Sequence, residues 1–80
     1  MSYETRIRIL NYLNMDEWKS TKEIKKNLGL SNSEFFHAVR WLLKAGLIRR
    51  RKGIFFKQFN VDSRTFFYQK TEKAVKIIEE

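Results

Sequence analysis

Hydrophobic residues between positions 31 and 46 recur every three or four residues, the spacing of an α-helix that buries one side. The apolar stripe consists of Phe35, Ala38, Val39 and Leu42. Ser31 and Glu34 have the spacing of a capping box, and Gly46 suits the left-handed residue that ends many helices. We therefore predict a helix over 31–46 with one packing side and one mostly polar side that faces outward.

Two further helices are predicted before this segment. Residues 3–14 carry apolar side chains on two neighbouring stripes, a wider face than one small neighbour covers. Burial within the domain and contact with a second subunit both explain that width, and the sequence leaves both open. Ser20 and Glu23 again have capping-box spacing and begin a short helix that ends at Leu28. Gly29 starts a turn into the next helix, so the two helices have a helix-turn-helix arrangement.

The hydrophobic period changes after Gly46. The runs 54–59 (IFFKQF) and 64–70 (RTFFYQK) are rich in aromatic residues, and turn-forming residues lie between them. We predict that the two runs form a long antiparallel hairpin with its tip near Asp62.

The remaining segments complete one domain. Residues 15–19 form a connector in which Trp18 fits a short strand, and Thr71 begins a last helix over 72–80. The predicted class is α+β, with a three-helix core, a two- to three-stranded antiparallel wing and a short C-terminal helix. No linker or repeat divides the chain, so we predict a single domain over residues 1–80.

The net charge then narrows the kind of partner. Seventeen Lys and Arg against nine Asp and Glu give a charge of +8 at pH 7, which indicates a polyanion, with nucleic acid ahead of an acidic membrane surface. Six basic residues and no acidic residue lie between positions 44 and 60: Lys44, Arg49, Arg50, Arg51, Lys52 and Lys57. One or two lysines are enough to protect a strand edge from aggregation. We therefore interpret four consecutive basic residues as phosphate contacts.

The polar side of the 31–46 helix supplies a second group of candidate contacts: Ser31, Asn32, Ser33, Phe36, His37, Arg40 and Lys44. The planar fork of Arg40 matches the O6 and N7 atoms of guanine, although an ordinary solvated helix arginine takes the same position. Partial burial is expected for Phe36 and Trp41. Aromatic residues among basic ones also suit single-stranded nucleic acid, but strand alternation is expected to place most of the hairpin aromatics in the core.

Several classes of function find no support in the residues. The chain has no Cys and one His, and His37 lacks acidic partners at ligand spacing, so we predict no metal site, no cofactor and no catalytic residue. The chain is not expected to be an enzyme, and no small-molecule ligand is indicated. No apolar run is long enough to cross a membrane and the first residues lack a signal-peptide layout, so we expect a cytoplasmic protein.

Three short motifs resemble those of small prokaryotic regulators of the MarR type, a winged helix-turn-helix family. They are Leu30-Ser31 with Gly46-Leu47-Ile48, Asp62-Ser63-Arg64, and Thr71-Glu72-Lys73-Ala74. These are similar to the ends of the family's recognition helix, to its D-x-R wing tip and to the T-E-K-G that starts its following helix. The resemblance covers about residues 20–74, and Ala74 stands where the family has Gly.

The resemblance implies sequence-specific binding of double-stranded DNA by a transcriptional regulator associated with the nucleoid. The 31–46 helix would enter the major groove, and the basic wing over 49–64 would contact phosphates. Arg64 would enter the minor groove, with Asp62 orienting it by a charge-assisted hydrogen bond.

A domain of this size covers one half-site, so we also predict a homodimer through residues 3–14 and 72–80. Two alternatives to a sequence-specific regulator stay open. One is a protein-interaction winged helix of a transcription or replication assembly. The other is a nonspecific, chromatin-type DNA-binding protein.

Overall fold

The computed structural model describes residues 3–56 and 61–79, the last three of these by their backbone alone. Within these residues the chain is an α+β domain with four α-helices and a three-stranded antiparallel sheet, which confirms the predicted class. The elements follow one another as helix α1 (Tyr3–Tyr12), strand β1 (Lys19–Ser20), helices α2 (Thr21–Leu28) and α3 (Asn32–Lys44), strand β2 (Ile48–Lys52), a 3-10 segment (Gly53–Phe56), strand β3 (Phe66–Lys70) and helix α4 (Glu72–Glu79).

Side-chain caps begin both helices of the helix-turn-helix pair. The Ser31 hydroxyl accepts the Glu34 amide N–H at 3.2 Å, and the Glu34 carboxylate accepts the Ser31 N–H at 3.0 Å, so the predicted capping box is complete. The Ser20 hydroxyl accepts the Glu23 amide N–H at 3.1 Å. The Glu23 carboxylate, however, accepts a hydrogen bond from the Tyr12 hydroxyl at 3.0 Å and thereby links α2 to α1.

Left-handed glycines follow α2 and α3. The φ angle is 64° at Gly29 and 76° at Gly46. The left-handed conformation of Gly46 is the one predicted for the end of the helix that is now α3. The carbonyls at the end of α3 receive hydrogen bonds from the segment that begins α4. The Thr71 hydroxyl donates to Gly46 at 2.7 Å and the Lys73 ammonium donates to Ala45 at 2.8 Å. These bonds satisfy carbonyls that a helix end leaves open and hold α4 against α3.

The sheet has the strand order β1-β3-β2, so the last strand in the chain lies at its centre. The helices pack on one face, where the Phe35 ring meets the Tyr68 ring edge-on at a centroid distance of 5.6 Å. All four members of the apolar stripe predicted for α3 are buried. The core consists of Ile9, Leu13, Ile24, Leu30, Phe35, Ala38, Val39, Leu42, Leu47, Ile48, Tyr68 and Ala74.

The prediction that residues 54–59 form the first strand of the hairpin is wrong for the residues that the structure describes. Residues 54–56 belong to the 3-10 segment, and 57–59 lie outside the described residues. In place of 54–59, the basic run Ile48–Lys52 pairs with β3, whose other edge pairs with β1. The second predicted strand, 64–70, is confirmed from Phe66 onward. Cross-strand packing, more than the intrinsic preference of each residue, decides which run becomes the strand.

The predicted position of Asp62 at the tip of a long hairpin is also wrong. The Gly53 N–H donates to the Thr65 carbonyl at 2.7 Å, and the Ile54 N–H donates to the Ser63 carbonyl at 3.1 Å. The Asp62 carbonyl oxygen lies so close to Gly53 that a Cβ added there would be 1.9 Å away from it. The turn over residues 62–65 is therefore folded against the end of β2.

The two apolar stripes of α1 have different surroundings. Ile9 and Leu13 are buried in the core, whereas Tyr3 and Ile7 are 67% and 41% exposed. In α4 the side chains of the predicted stripe after Ala74 lie outside the described residues. None of the helices described is long and apolar enough to cross a membrane.

Candidate nucleic-acid interface

The polar side of α3 is exposed along its whole length. The structure leaves every candidate contact of this helix accessible: Ser31, Asn32, Ser33, Phe36, His37, Arg40 and Lys44. From Ser33 onward they lie opposite the buried stripe, because residues three and four apart share a side of a helix. Ser31 and Asn32 lie at the capped start of the helix. The side that the sequence predicts to face outward is thus exposed, and its role in contacting a partner stays a prediction.

The first residues of this exposed side are engaged within the protein. Ser31 serves the capping box, and the Asn32 side-chain oxygen accepts a hydrogen bond from the Lys25 ammonium. Hydrogen bonding from Ser31 lowers the pKa of Glu34, so this carboxylate is ionised at neutral pH at the positive end of α3. A phosphate is disfavoured where a carboxylate already lies. Contacts with a polyanion are therefore expected further along the helix.

A cleft of about 580 Å³ separates the second half of α3 from β2. Three cationic side chains line it, Arg40 and Lys44 from the helix and Arg50 from the strand, together with the largely apolar side chains of Phe36, Val39, Leu43 and Tyr68. No acidic side chain of the described residues is among those that line the cleft. Converging cations in a concave surface concentrate positive potential there.

Two cations of β2 lie on the same face of the sheet as this cleft. The guanidinium carbon of Arg50 is 4.5 Å from the centroid of the Phe66 ring, and the Lys52 nitrogen is 5.8 Å from it. Burial raises the pKa of Tyr68 on the same face, so its hydroxyl adds no negative charge to the cleft at neutral pH. Arg50 and Lys52 therefore extend the positive surface of α3.

The other two arginines of β2 lie on the opposite face, since successive strand residues point to opposite sides. The guanidinium carbon of Arg49 is 5.1 Å from the Trp18 ring centroid, and its Nε donates to the Gln69 side-chain oxygen at 2.7 Å. Arg51 is 5.3 Å from the Phe56 ring centroid. The basic run that the sequence presents as one unit is thus divided between two surfaces.

The structure shows an aromatic row beneath these two arginines that the sequence analysis did not assign to the site. The Phe56 ring lies edge-on to Trp18 at 5.4 Å and to Phe67 at 5.2 Å between centroids. The clue to this row is that four consecutive cations follow Ile48 and, in a strand, point alternately to the two faces of the sheet. This pattern can be read from the sequence only once residues 48–52 are recognised as a strand.

The remaining candidate contacts lie between β2 and β3. Arg64 is exposed, and Lys57 lies outside the described residues. The Asp62 carboxylate accepts the backbone N–H of Arg64 at 2.9 Å, and this bond lowers the pKa of Asp62. The observed bond fixes the shape of the turn, whereas the sequence predicts that Asp62 orients the guanidinium.

Comparison of the chain with family models, with curated proteins and with solved structures found no match. The resemblance to MarR-type regulators therefore rests on the three short motifs. Among residues 3–56 and 61–79, no group of three or more His, Cys, Asp or Glu side chains is placed to hold a metal ion. Function is accordingly argued from the geometry and charge of the surface.

Proposed function

We propose that the chain is a winged helix-turn-helix domain that binds double-stranded DNA as a transcriptional regulator. The order of the elements and the strand order β1-β3-β2 are compatible with that fold. The observation that carries the proposal is the cleft in which Arg40, Lys44 and Arg50 converge beside the exposed side of α3. A helix then offers groups for base edges, and the adjoining strand offers charges for the phosphates that fix its register.

The middle of α3, rather than its capped end, meets the bases of the major groove in this proposal. Arg40 presents a planar fork to a guanine edge, and His37 and Ser33 lie on the same exposed side one and two turns earlier. Lys44 and Arg50 contact the flanking phosphates, with Lys52 next along the strand. Each such contact releases counterions, so affinity falls as salt rises.

The turn over residues 62–65 gives a second point of contact. Arg64 is exposed on it, and a guanidinium suits the negative potential of a narrow A·T-rich minor groove. Asp62 maintains the turn through its bond to the Arg64 amide. Lys57 stays a predicted phosphate contact.

We propose further that two copies join through α1. Tyr3 and Ile7, with Trp41 of α3 at 41% exposure, border a mostly apolar groove of about 440 Å³. Exposed apolar patches of this kind often mark an interface between proteins. Residues 72–80 are proposed to contribute to the same contact between the two copies. Two copies joined in this way present two α3 helices to half-sites about one helical turn apart. A sedimentation experiment that finds a monomer at high micromolar concentration would contradict the dimer.

Selection of bound duplexes from a random pool at moderate salt tests the proposed function. A sequence-specific regulator enriches a motif. Tight binding without a motif would favour the chromatin-type alternative, and weak binding without a motif would favour the protein-interaction alternative.

The selected site then separates base contacts from phosphate contacts. Arg40→Ala is expected to cost about 1–3 kcal/mol on that site and to relax the preference at one base pair. Arg50→Ala, on the other wall of the cleft, is expected to weaken selected and random duplexes alike. Equal losses on both duplexes for Arg40→Ala would assign that side chain to a phosphate.

A further inference from the structure

The outer face of the sheet carries arginines and aromatic side chains that have no role in the proposed binding of a duplex by α3. We define this outer face by Arg49, Arg51, Trp18, Phe56 and Phe67. The helices and the cleft lie on the opposite face of the strands. The two arginines are exposed and the three aromatic side chains are half-buried. The outer face is therefore an aromatic surface topped by accessible positive charge.

Each guanidinium of the outer face is held in place from below. Arg49 lies over the Trp18 ring and donates two hydrogen bonds to the side-chain oxygen of Gln69. Gln69 is buried, so its oxygen depends on such donors. Arg51 lies over Phe56, whose ring is itself packed against its aromatic neighbours. Both guanidinium groups thus have partners within the protein before any ligand arrives, which lowers the entropic cost of binding.

Guanidinium planes arranged in this way suit nucleobases as well as phosphates. Bases of unpaired strands stack on aromatic rings and on arginine planes, and the strand itself is a polyanion. Two residues of a strand are separated by about 7 Å, so consecutive nucleotides of an extended strand can use Arg49 and Arg51 in turn. The bases of a duplex stack on one another and leave only phosphates for such a face. We therefore propose that the outer face binds an unpaired nucleic-acid strand, independently of the duplex surface on α3.

Fluorescence anisotropy of the full chain with a labelled oligothymidylate tests this, and a separate arm with oligouridylate distinguishes DNA from RNA. The double variant Arg49→Lys with Arg51→Lys keeps the charge but removes both stacking planes. We expect about a tenfold loss of affinity for at least one of the two strands. The matched control is Arg40→Lys with Arg50→Lys, which makes the same two changes on the duplex side and is expected to leave this affinity unchanged.

The outcomes separate this proposal from the proposed function. Equal losses from the two double variants, or no loss from the Arg49/Arg51 pair, would overturn binding at the outer face. A failure of the duplex proposal shows instead in the random-pool selection. Since Arg49 also supports Gln69, Arg51→Lys alone is measured as well and is expected to weaken unpaired-strand binding in the same direction.

Tryptophan emission gives a second readout. The chain has two tryptophans, and Trp41→Phe leaves only the one that lies beneath Arg49. Its emission is expected to change when the unpaired strand binds, because a base stacked on Arg49 alters the surroundings of the ring. Binding without any change in the emission of Trp18 would overturn the proposal.

Discussion

Helix α3 and strand β2 both carry exposed cations, but they distribute them differently. The helix buries Phe35, Ala38, Val39 and Leu42 on one side and keeps its cations on the other. The strand buries only Ile48, and its four cations alternate between the two faces of the sheet. The helix therefore makes one charged surface, and the strand contributes to two.

The period of an element therefore decides which surfaces a cluster of charged residues can contact. Helical residues three or four apart share a side, whereas neighbours in a strand point in opposite directions. Arg50 and Arg51 are adjacent in the chain, yet one lines the cleft beside α3 and the other lies over Phe56. A run of basic residues cannot be assigned to one ligand until its secondary structure is known.

The substitution with the greatest expected loss of stability tests whether α3 has one packing side and one contact side. Phe35→Ala removes a fully buried ring that packs on Tyr68. We expect a loss of about 3–5 kcal/mol in the free energy of unfolding, measured by urea titration. The control is Phe36→Ala, the neighbouring residue on the exposed side, with an expected loss of about 1 kcal/mol. Similar losses at the two positions would contradict the division of the helix.

The next effect concerns the point where β2 ends. Gly53→Ala places a methyl group where the Asp62 carbonyl oxygen lies. Displacing that backbone is expected to cost about 1–3 kcal/mol in the free energy of unfolding, and the wing should shift with it. Ile54→Ala is the control, because this side chain is largely exposed, and it should stay within about 0.5 kcal/mol. A Gly53→Ala protein as stable as the control would show that the turn is not packed on Gly53.

A smaller effect separates the two faces of β2. Arg50→Gln and Arg51→Gln each remove one charge, so their effects on net charge are the same. With four phosphate contacts, from Lys44, Arg50, Lys52 and the predicted Lys57, the slope of log K against log salt for duplex DNA should be about −3.6. Arg50→Gln is expected to reduce its magnitude by about 0.9 and Arg51→Gln to leave it unchanged. Equal changes in slope would mean that the duplex contacts both faces.

The smallest expected effect lies at the capped end of α3. Hydrogen bonding from Ser31 lowers the pKa of Glu34 below its usual 4.5. A lowered pKa in the folded state means that the charge stabilises the fold above pH 4.5 and that this contribution is lost as the pH falls through the folded value. Glu34→Gln keeps the hydrogen-bond acceptor but not the charge. Its Tm should therefore be below that of the unaltered protein at neutral pH and equal to it in acid. A difference that persists in acid would contradict the assignment.

Helices α2 and α3 could be predicted because their signals are local. Ser31 and Glu34 are three residues apart, and Gly29 and Gly46 stand where the chain takes up a left-handed conformation. Such signals act within one turn of helix, so the sequence displays them directly. The exposed side of α3 followed from the same period.

The sheet that follows α3 could not be predicted in the same way, because distant partners determine it. Ile48–Lys52 becomes a strand through pairing with Phe66–Lys70 and through the contacts of its arginines with Trp18 and Gln69. No local pattern specifies these partners, whereas the aromatic run after Gly53 has the stronger strand preference on its own. The cleft could not be predicted for the same reason, since Arg50 lines it together with Arg40 only when β2 is in place.

The central position of β3 has a consequence for how the protein is made. In the described residues β1 and β2 each pair with β3 and with no other strand. At the end of β3, the Lys70 amide donates to the Asn14 carbonyl and the following Thr71 amide donates to the Leu47 carbonyl. Helices with local contacts form as they leave the ribosome, but contacts between distant residues wait for both partners. The arginine-rich strand β2 therefore emerges before its pairing partner, and the sheet forms only when residues 66–70 have followed.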